Sequence, residues 1–221
     1  MIRLATYNIA GIQLVEKRRA LLDYCLVSSL DIVCLEEVTF NQCQLIDSHY
    51  NVIFNLGPKR RGTAILFRRG LRASRTLIEP EGRLVSVDLD GLTVVCIYAP
   101  SGENAKKERN EFFRNTVPAY VLTSRNPVVL LGDFNAVEDP SQRRTNKSEP
   151  KARLSNFRPL VEMIRALELV DVWRAIRPNE NGYTFNCSKS SARLDRIYAS
   201  RSLTFTDIRT DILLSGITNN L

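Results

Sequence analysis

Apolar residues come along this chain in short, dense runs parted by polar breaks, a spacing that favours many brief buried elements over a few long ones. Residues 2–7 ("IRLATY") predict a strand ending at Asn8. Residues 16–30 place Leu21, Tyr24, Cys25 and Leu26 on one side of a helix. "DIVCLEEV", "YNVIFN" and "GTAILF" predict further strands, the last two flanking a basic "GPKRRG" connection. In "RLVSVDLDGLTVVCIYAP", Val85, Val87 and Leu89 alternate with polar residues, Asp90-Gly91 supplies a turn, and Leu92 to Ile97 return, which predicts a hairpin. Residues 107–124 predict a helix interrupted near Pro118, "VVLLGD" a buried strand, residues 156–168 a helix with Phe157, Leu160, Val161, Ile164 and Leu167 at helical spacing, and "RLDRIYAS" a late strand.

Short strands, a hairpin and intervening helices point to a layered α/β sandwich, and the hairpin argues against a strictly alternating doubly wound sheet. With 221 residues and neither repeat nor low-complexity linker, residues 1–221 are expected to form a single domain. No apolar run is long enough for a membrane span, and the opening "MIRLATYNIAG", without a charged-then-apolar pattern, is not expected to direct secretion. Five scattered cysteines fit no zinc spacing, and Cys25, Cys34 and Cys96 are expected as core residues in a reducing compartment.

The net charge of +7 favours a polyanionic partner, and the basic residues cluster in predicted loops: Lys59 to Arg61, Arg68-Arg69, Lys106-Lys107, and Arg143 through Arg153. Such clusters on one face would be a nucleic-acid footprint; taken singly, each reads equally well as solvated loop charge.

Polar residues recur at strand ends. Asn8, Glu37, Tyr98, Asp133, Asn135 and Asp195 each sit at the edge of an apolar run. Oxygen donors of this kind suit a hard divalent cation together with substrate phosphate. A Ser–His–Asp or Cys–His arrangement has no support, because the one histidine, His49, reads as a surface loop residue. Read singly, these side chains fit local roles: Asp133-x-Asn135 an Asx turn, Asp195 a partner of Arg193 or Arg196, Glu36-Glu37 a solvated strand end.

In order, "TYNIAG", "DIVCLEEV", "RGTAILF", "CIYAP", "GDFNA", "LVDVWR", "YTF" and "RLDRIYAS" resemble the endonuclease/exonuclease/phosphatase superfamily, and within it the apurinic-like endonuclease domain of LINE-type (non-LTR) retrotransposons. The resemblance implies a four-layer α/β sandwich of two mixed sheets flanked by helices. It implies cleavage of a phosphodiester in double-stranded DNA that depends on Mg²⁺, with Mn²⁺ as substitute. The nick leaves a 3′-hydroxyl primer for target-primed reverse transcription. The implied setting is the nucleus, in a larger polyprotein with a reverse transcriptase. By motif, Glu37 resembles the metal ligand, Asp133 the group that aligns and deprotonates water, and Asn135 its neighbour. Asn8 and Tyr98 resemble contacts to the metal shell and the scissile phosphate, and Asp195 the carboxylate that steers a catalytic histidine. Thr184 and Arg193 fall where the family contacts DNA, and Arg61 lies in a loop assigned to the DNA face.

The chain departs from the pattern in three places. The family's closing Ser-Asp-His motif is not met in "RSLTFTDIRTDILLSGITNNL", so the expectation is a chain that stops short of it or a diverged end. Ala10 stands where relatives often carry a second metal-binding carboxylate, leaving Glu37 as principal anchor. Ala192 replaces a frequent serine, with Ser191 one position off. The alternative of another class is a nucleic-acid-binding module that has lost catalysis. A lipid phosphatase ranks low, since no apolar membrane-docking loop is evident.

Overall fold

The computed structural model describes residues 1–11, 13–58, 61–139, 143–145 (backbone only), 158–188 and 190–203. In chain order the elements are β1 (Leu4–Asn8), α1 (Val15–Val27), β2 (Ile32–Val38), α2 (Gln44–Asp47), β3 (Tyr50–Leu56), β4 (Gly62–Arg68), β5 (Ala73–Ile78), β6 (Leu84–Leu89) and β7 (Leu92–Tyr98). Then come α3 (Lys106–Glu111), α4 (Val117–Val121), β8 (Val128–Asp133), β9 (Arg143–Thr145), α5 (Arg158–Ala166), β10 (Leu169–Asp171), α6 (Val172–Ile176), β11 (Phe185–Asn186), β12 (Ser190–Ala192) and β13 (Asp195–Ser200).

Two mixed sheets form the centre. One has the order β1-β2-β4-β3, with β1 and β2 parallel; the other has the order β10-β13-β8-β7-β6-β5, with β7 and β8 parallel. The expected sandwich is therefore present. A small third sheet, β11-β12-β9, was not anticipated.

Alternation along the strands builds three apolar layers. Ile32 and Cys34 point between the sheets, against Val85, Val87, Val94 and Cys96. Val33 and Leu35, one residue out of phase, meet Leu21, Leu22 and Cys25 of α1. Val95, Ile97 and Leu130 face Phe113, Val117, Leu160 and Met163 on the far side. The central strands are thus buried on both faces, which is why they read as nearly continuous apolar runs. Cys25, Cys34 and Cys96 are buried and free, as expected.

The α-helix expected over 107–124 is interrupted just ahead of Pro118, as expected, although the chain stays helical. A π-helical turn, Phe112–Thr116, joins α3 to α4 and leaves Pro118 in the first turn of α4, where a missing N–H is tolerated. The hairpin turn at Asp90-Gly91 has both residues at positive φ, 45° and 85°, the geometry that matches strand twist. Among the described residues, no helix is long and apolar enough to cross a membrane.

Candidate active site

Parallel pairing puts the C-terminal ends of β1 and β2 at one edge, and those of β7 and β8 at the matching edge of the second sheet. Asn8 pairs with Glu36, Tyr98 with Asp133, and Asp195, which opens the antiparallel β13, lies opposite Asp133. The six strand-end residues singled out in the sequence therefore belong to one rim.

Glu37 is turned toward that rim by a bulge. Pairing of β2 with β4 slips between Glu36 and Val38, and Glu37 adopts a left-handed φ of 55°. An extra residue at a strand end re-aims one side chain without shifting the rest of the ladder. Glu37 Oε1 accepts from Asn8 Nδ2 at 3.2 Å and from the Tyr98 hydroxyl at 3.0 Å. Its Oε2 accepts from Arg61 at 2.9 Å.

Asp133 sits deeper, 6% exposed. Its Oδ1 accepts the Asn135 N–H at 2.8 Å and its Oδ2 accepts from Asn8 Nδ2 at 3.1 Å. The turn expected from Asp133-x-Asn135 is therefore real, and Asn135 adopts a φ of 46° to make it. Asn135 Nδ2 in turn donates to Ala99 O at 2.9 Å, locking the segment to the end of β7. Gly132 is required just before it: its φ is +139°, and an added Cβ would lie 2.0 Å from Ile97 O.

Electrostatics separates these carboxylates. Burial, then the charge of Asp195, raises Asp133 to about 7, against hydrogen bonds from Asn135 and Asn8 that pull it down. Asp195 is also held above the usual carboxylate range by burial, opposed by the Thr184 hydroxyl and Arg196. The Tyr98 phenol is pushed up, first by burial, with Ser101 opposing and Glu37 adding to the rise, so it stays a donor.

Three expectations change. Glu36 is no solvated strand end: alternation turns it inward, fully buried, where Thr6 Oγ1 donates to it at 2.6 Å and burial lifts it well above the ordinary range. Arg193, assigned to DNA, is 1% exposed and gives both guanidinium ends to Asp171, which itself caps α6. Its guanidinium ties the β12–β13 connection to the start of α6. Thr184 faces inward as well. Its Oγ1 accepts the backbone N–H groups of Leu194 and Asp195, both at 3.0 Å, so it positions Asp195.

His49 is exposed in the turn before β3, at the end of the first sheet opposite Glu37. Arg68 lies at that same far end and pairs with Asp31 at 3.0 Å. The basic clusters therefore do not all share the rim. Lys59, Arg60 and the stretch Lys147 to Arg153 lie outside the described residues, as do 204–221, where the Ser-Asp-His motif was sought.

Sequence reasoning missed Arg83, whose guanidinium stacks 4.9 Å above the Tyr98 ring, and Arg109, which holds the 99–105 segment by donating to Pro100 O and Gly102 O. Nothing in local pattern marks either one: Arg83 meets a ring 15 residues on, and Arg109 meets backbone carbonyls, which no side-chain pattern reveals.

A match to the Endonuclease/Exonuclease/phosphatase family covers residues 5–216, and the chain belongs to that family. An exodeoxyribonuclease of Bacillus subtilis (strain 168) is 23% identical over 86% of this chain and 82% of its own length. An AP endonuclease from Archaeoglobus fulgidus shares the fold, with a TM-score of 0.74 and 22% identity over 90% of this chain and 87% of that one. A 149 kDa protein of transposon TX1 from Xenopus laevis is 35% identical over 48% of this chain, a segment that is 8% of that protein.

Proposed function

We propose that this family member is a metal-dependent DNA endonuclease that nicks one strand of double-stranded DNA and leaves a 3′-hydroxyl to prime reverse transcription. One observation carries the reading: a single amide, Asn8 Nδ2, bonds Glu37 from one sheet and Asp133 from the other, so both layers address one point on the rim. The likeness to an exodeoxyribonuclease supports DNA as the substrate, and that to a 149 kDa transposon protein supports a place in a larger polyprotein; a reverse transcriptase in that polyprotein and action in the nucleus are part of the same proposal.

The donor set fits a hard divalent ion, Mg²⁺ or Mn²⁺. All its ligating atoms are oxygens, and the Glu37 oxygen left by Asn8 and Tyr98 faces outward toward a guanidinium. Among the described residues no three acidic, histidine or cysteine side chains enclose one ion; in the proposed reading Glu37 would be the protein's anchor, with water and substrate phosphate completing the shell. When bound, it would neutralise charge growing on the phosphoryl oxygens.

The chain's own groups do the rest. Asp133, held by Asn135 and Asn8, accepts a proton from the attacking water at a pKa suited to neutral pH. Burial first, and then the charge of Asp195, keeps that pKa high. Asn8 and Tyr98 donate to Glu37 Oε1 and so fix the carboxylate beside which the scissile phosphate would lie, and Arg61 presents a guanidinium at its margin.

The test is incubation with supercoiled plasmid and Mg²⁺. Open-circular product whose nick a DNA polymerase extends supports the reading. Salt-sensitive DNA binding without any nicking supports the binding module instead.

A further inference from the structure

Glu37 already carries a cation. Its Oε1 is fixed by two donors, one of them the hydroxyl of Tyr98, which is only 3% exposed. Its Oε2 meets Arg61 NH1 at 2.9 Å, across a pair in which the arginine side chain is 61% exposed and the glutamate 19%. The Arg61 backbone is anchored while its side chain is not. An added Cβ at Gly82 would sit 2.9 Å from Arg61 O, and one at the neighbouring Gly62 would sit 1.8 Å from Asn55 O, so the backbone at Arg61 and just after it is closely packed. A long side chain on a fixed root can leave its partner without moving the fold.

We infer that Arg61 is an exchangeable counter-ion: its guanidinium and a divalent cation compete for Glu37 Oε2, and entry of the cation releases Arg61 toward substrate phosphate. The inference rests on Glu37 being the metal anchor. Oε1 offers the ion no open approach, so the ion must take the position that the guanidinium holds. Two cations do not share one oxygen at contact distance without strong repulsion. An exposed pair of this kind is weak, so holding the place costs an entering ion only about two- to fivefold in affinity. The released guanidinium keeps a planar fork of donors matched to a phosphate, and it starts within one side-chain length of the rim. The arginine thus balances Glu37 while the site is metal-free and becomes a phosphate contact once the ion is bound.

Calorimetric titration of the DNA-free protein with Mn²⁺ tests this without reference to turnover. Arg61→Gln is expected to bind the ion about two- to fivefold more tightly than the unaltered protein. Arg61→Lys, which keeps the charge, is expected to stay within about twofold. Glu37→Gln is expected to lose the site. Unchanged or weaker binding by Arg61→Gln, alongside loss in Glu37→Gln, overturns the counter-ion role and leaves the anchor standing. Undiminished binding by Glu37→Gln removes the anchor, and the inference falls with it. Matching thermal melts for the variants exclude misfolding as the cause of either result.

Discussion

The two sheets end in the same local device and put it to different use. In β1, Asn8 Oδ1 accepts the Ala10 N–H at 3.0 Å, with Ile9 buried beneath and Ala10 at a φ of 46°. In β8, Asp133 Oδ1 accepts the Asn135 N–H at 2.8 Å, with Phe134 buried beneath and Asn135 also at 46°. Each is a strand, a side-chain-closed turn and an apolar peg. The difference is depth. The first sheet's carboxylate, Glu37, stands half-open beside an exposed arginine. The second sheet's carboxylate, Asp133, is buried beside a like charge. Open and countered, a carboxylate holds cations; buried and crowded by its own kind, it holds protons.

Substitution at the two ends should separate these roles. Asp133→Ala is expected to lower plasmid nicking by on the order of 10³-fold with the Mg²⁺ concentration for half-maximal rate unchanged. Glu37→Ala is expected to lower nicking by on the order of 10²-fold and to raise that concentration. Equal displacement of the metal dependence by both would break the comparison. Next comes Gly132→Ala, which forces a Cβ onto Ile97 O at a strained φ. Urea unfolding should show a loss of about 3 kcal/mol or more.

The deep end should also be visible in the pH dependence of stability. Folding raises the Asp133 pKa to about 7, so the folded state binds the proton more tightly than the unfolded chain. This group's favourable contribution is therefore complete below the ordinary carboxylate pKa and is lost as pH rises toward 7. In EDTA, thermal melts between pH 4 and pH 7 should show that decline, on the order of 2 kcal/mol. Asp133→Asn should flatten it, and an unchanged slope would mean that Asp133 is not the buried proton holder. The smallest effect expected is that of Thr184→Val. It leaves the Leu194 and Asp195 N–H groups without their acceptor and should cost about 1 kcal/mol in urea unfolding.

What could be read in the sequence follows from how each element is buried. β2, β4, β7 and β8 are buried on both faces, so their runs of apolar residues announce them. β5 is an edge strand whose residues are mostly exposed, and its composition gives no such signal. β9, β11 and β12 are two or three residues long and form only by pairing with one another. The site was legible as a set of strand ends because the polar residues interrupt apolar runs. The bulge that aims Glu37 was not, because it depends on the partner strand β4. Arg193 was assigned to a DNA contact by resemblance, and its burial was not legible because the partner that permits it, Asp171, lies 22 residues away. Pro118 signalled an interruption, which takes the form of the π turn just ahead of it.

The shared amide of Asn8 is a gauge of how the layers are aligned. Its nitrogen spans two carboxylates that belong to different slabs of the protein, with little slack at either contact. Sliding one slab past the other by about an ångström would sever one contact, and chemistry would stop while the melting curve still looked healthy. Core substitutions far from the rim, in the seam lined by Ile65, Val87 and Val129, are therefore the place to look for variants that are folded yet silent.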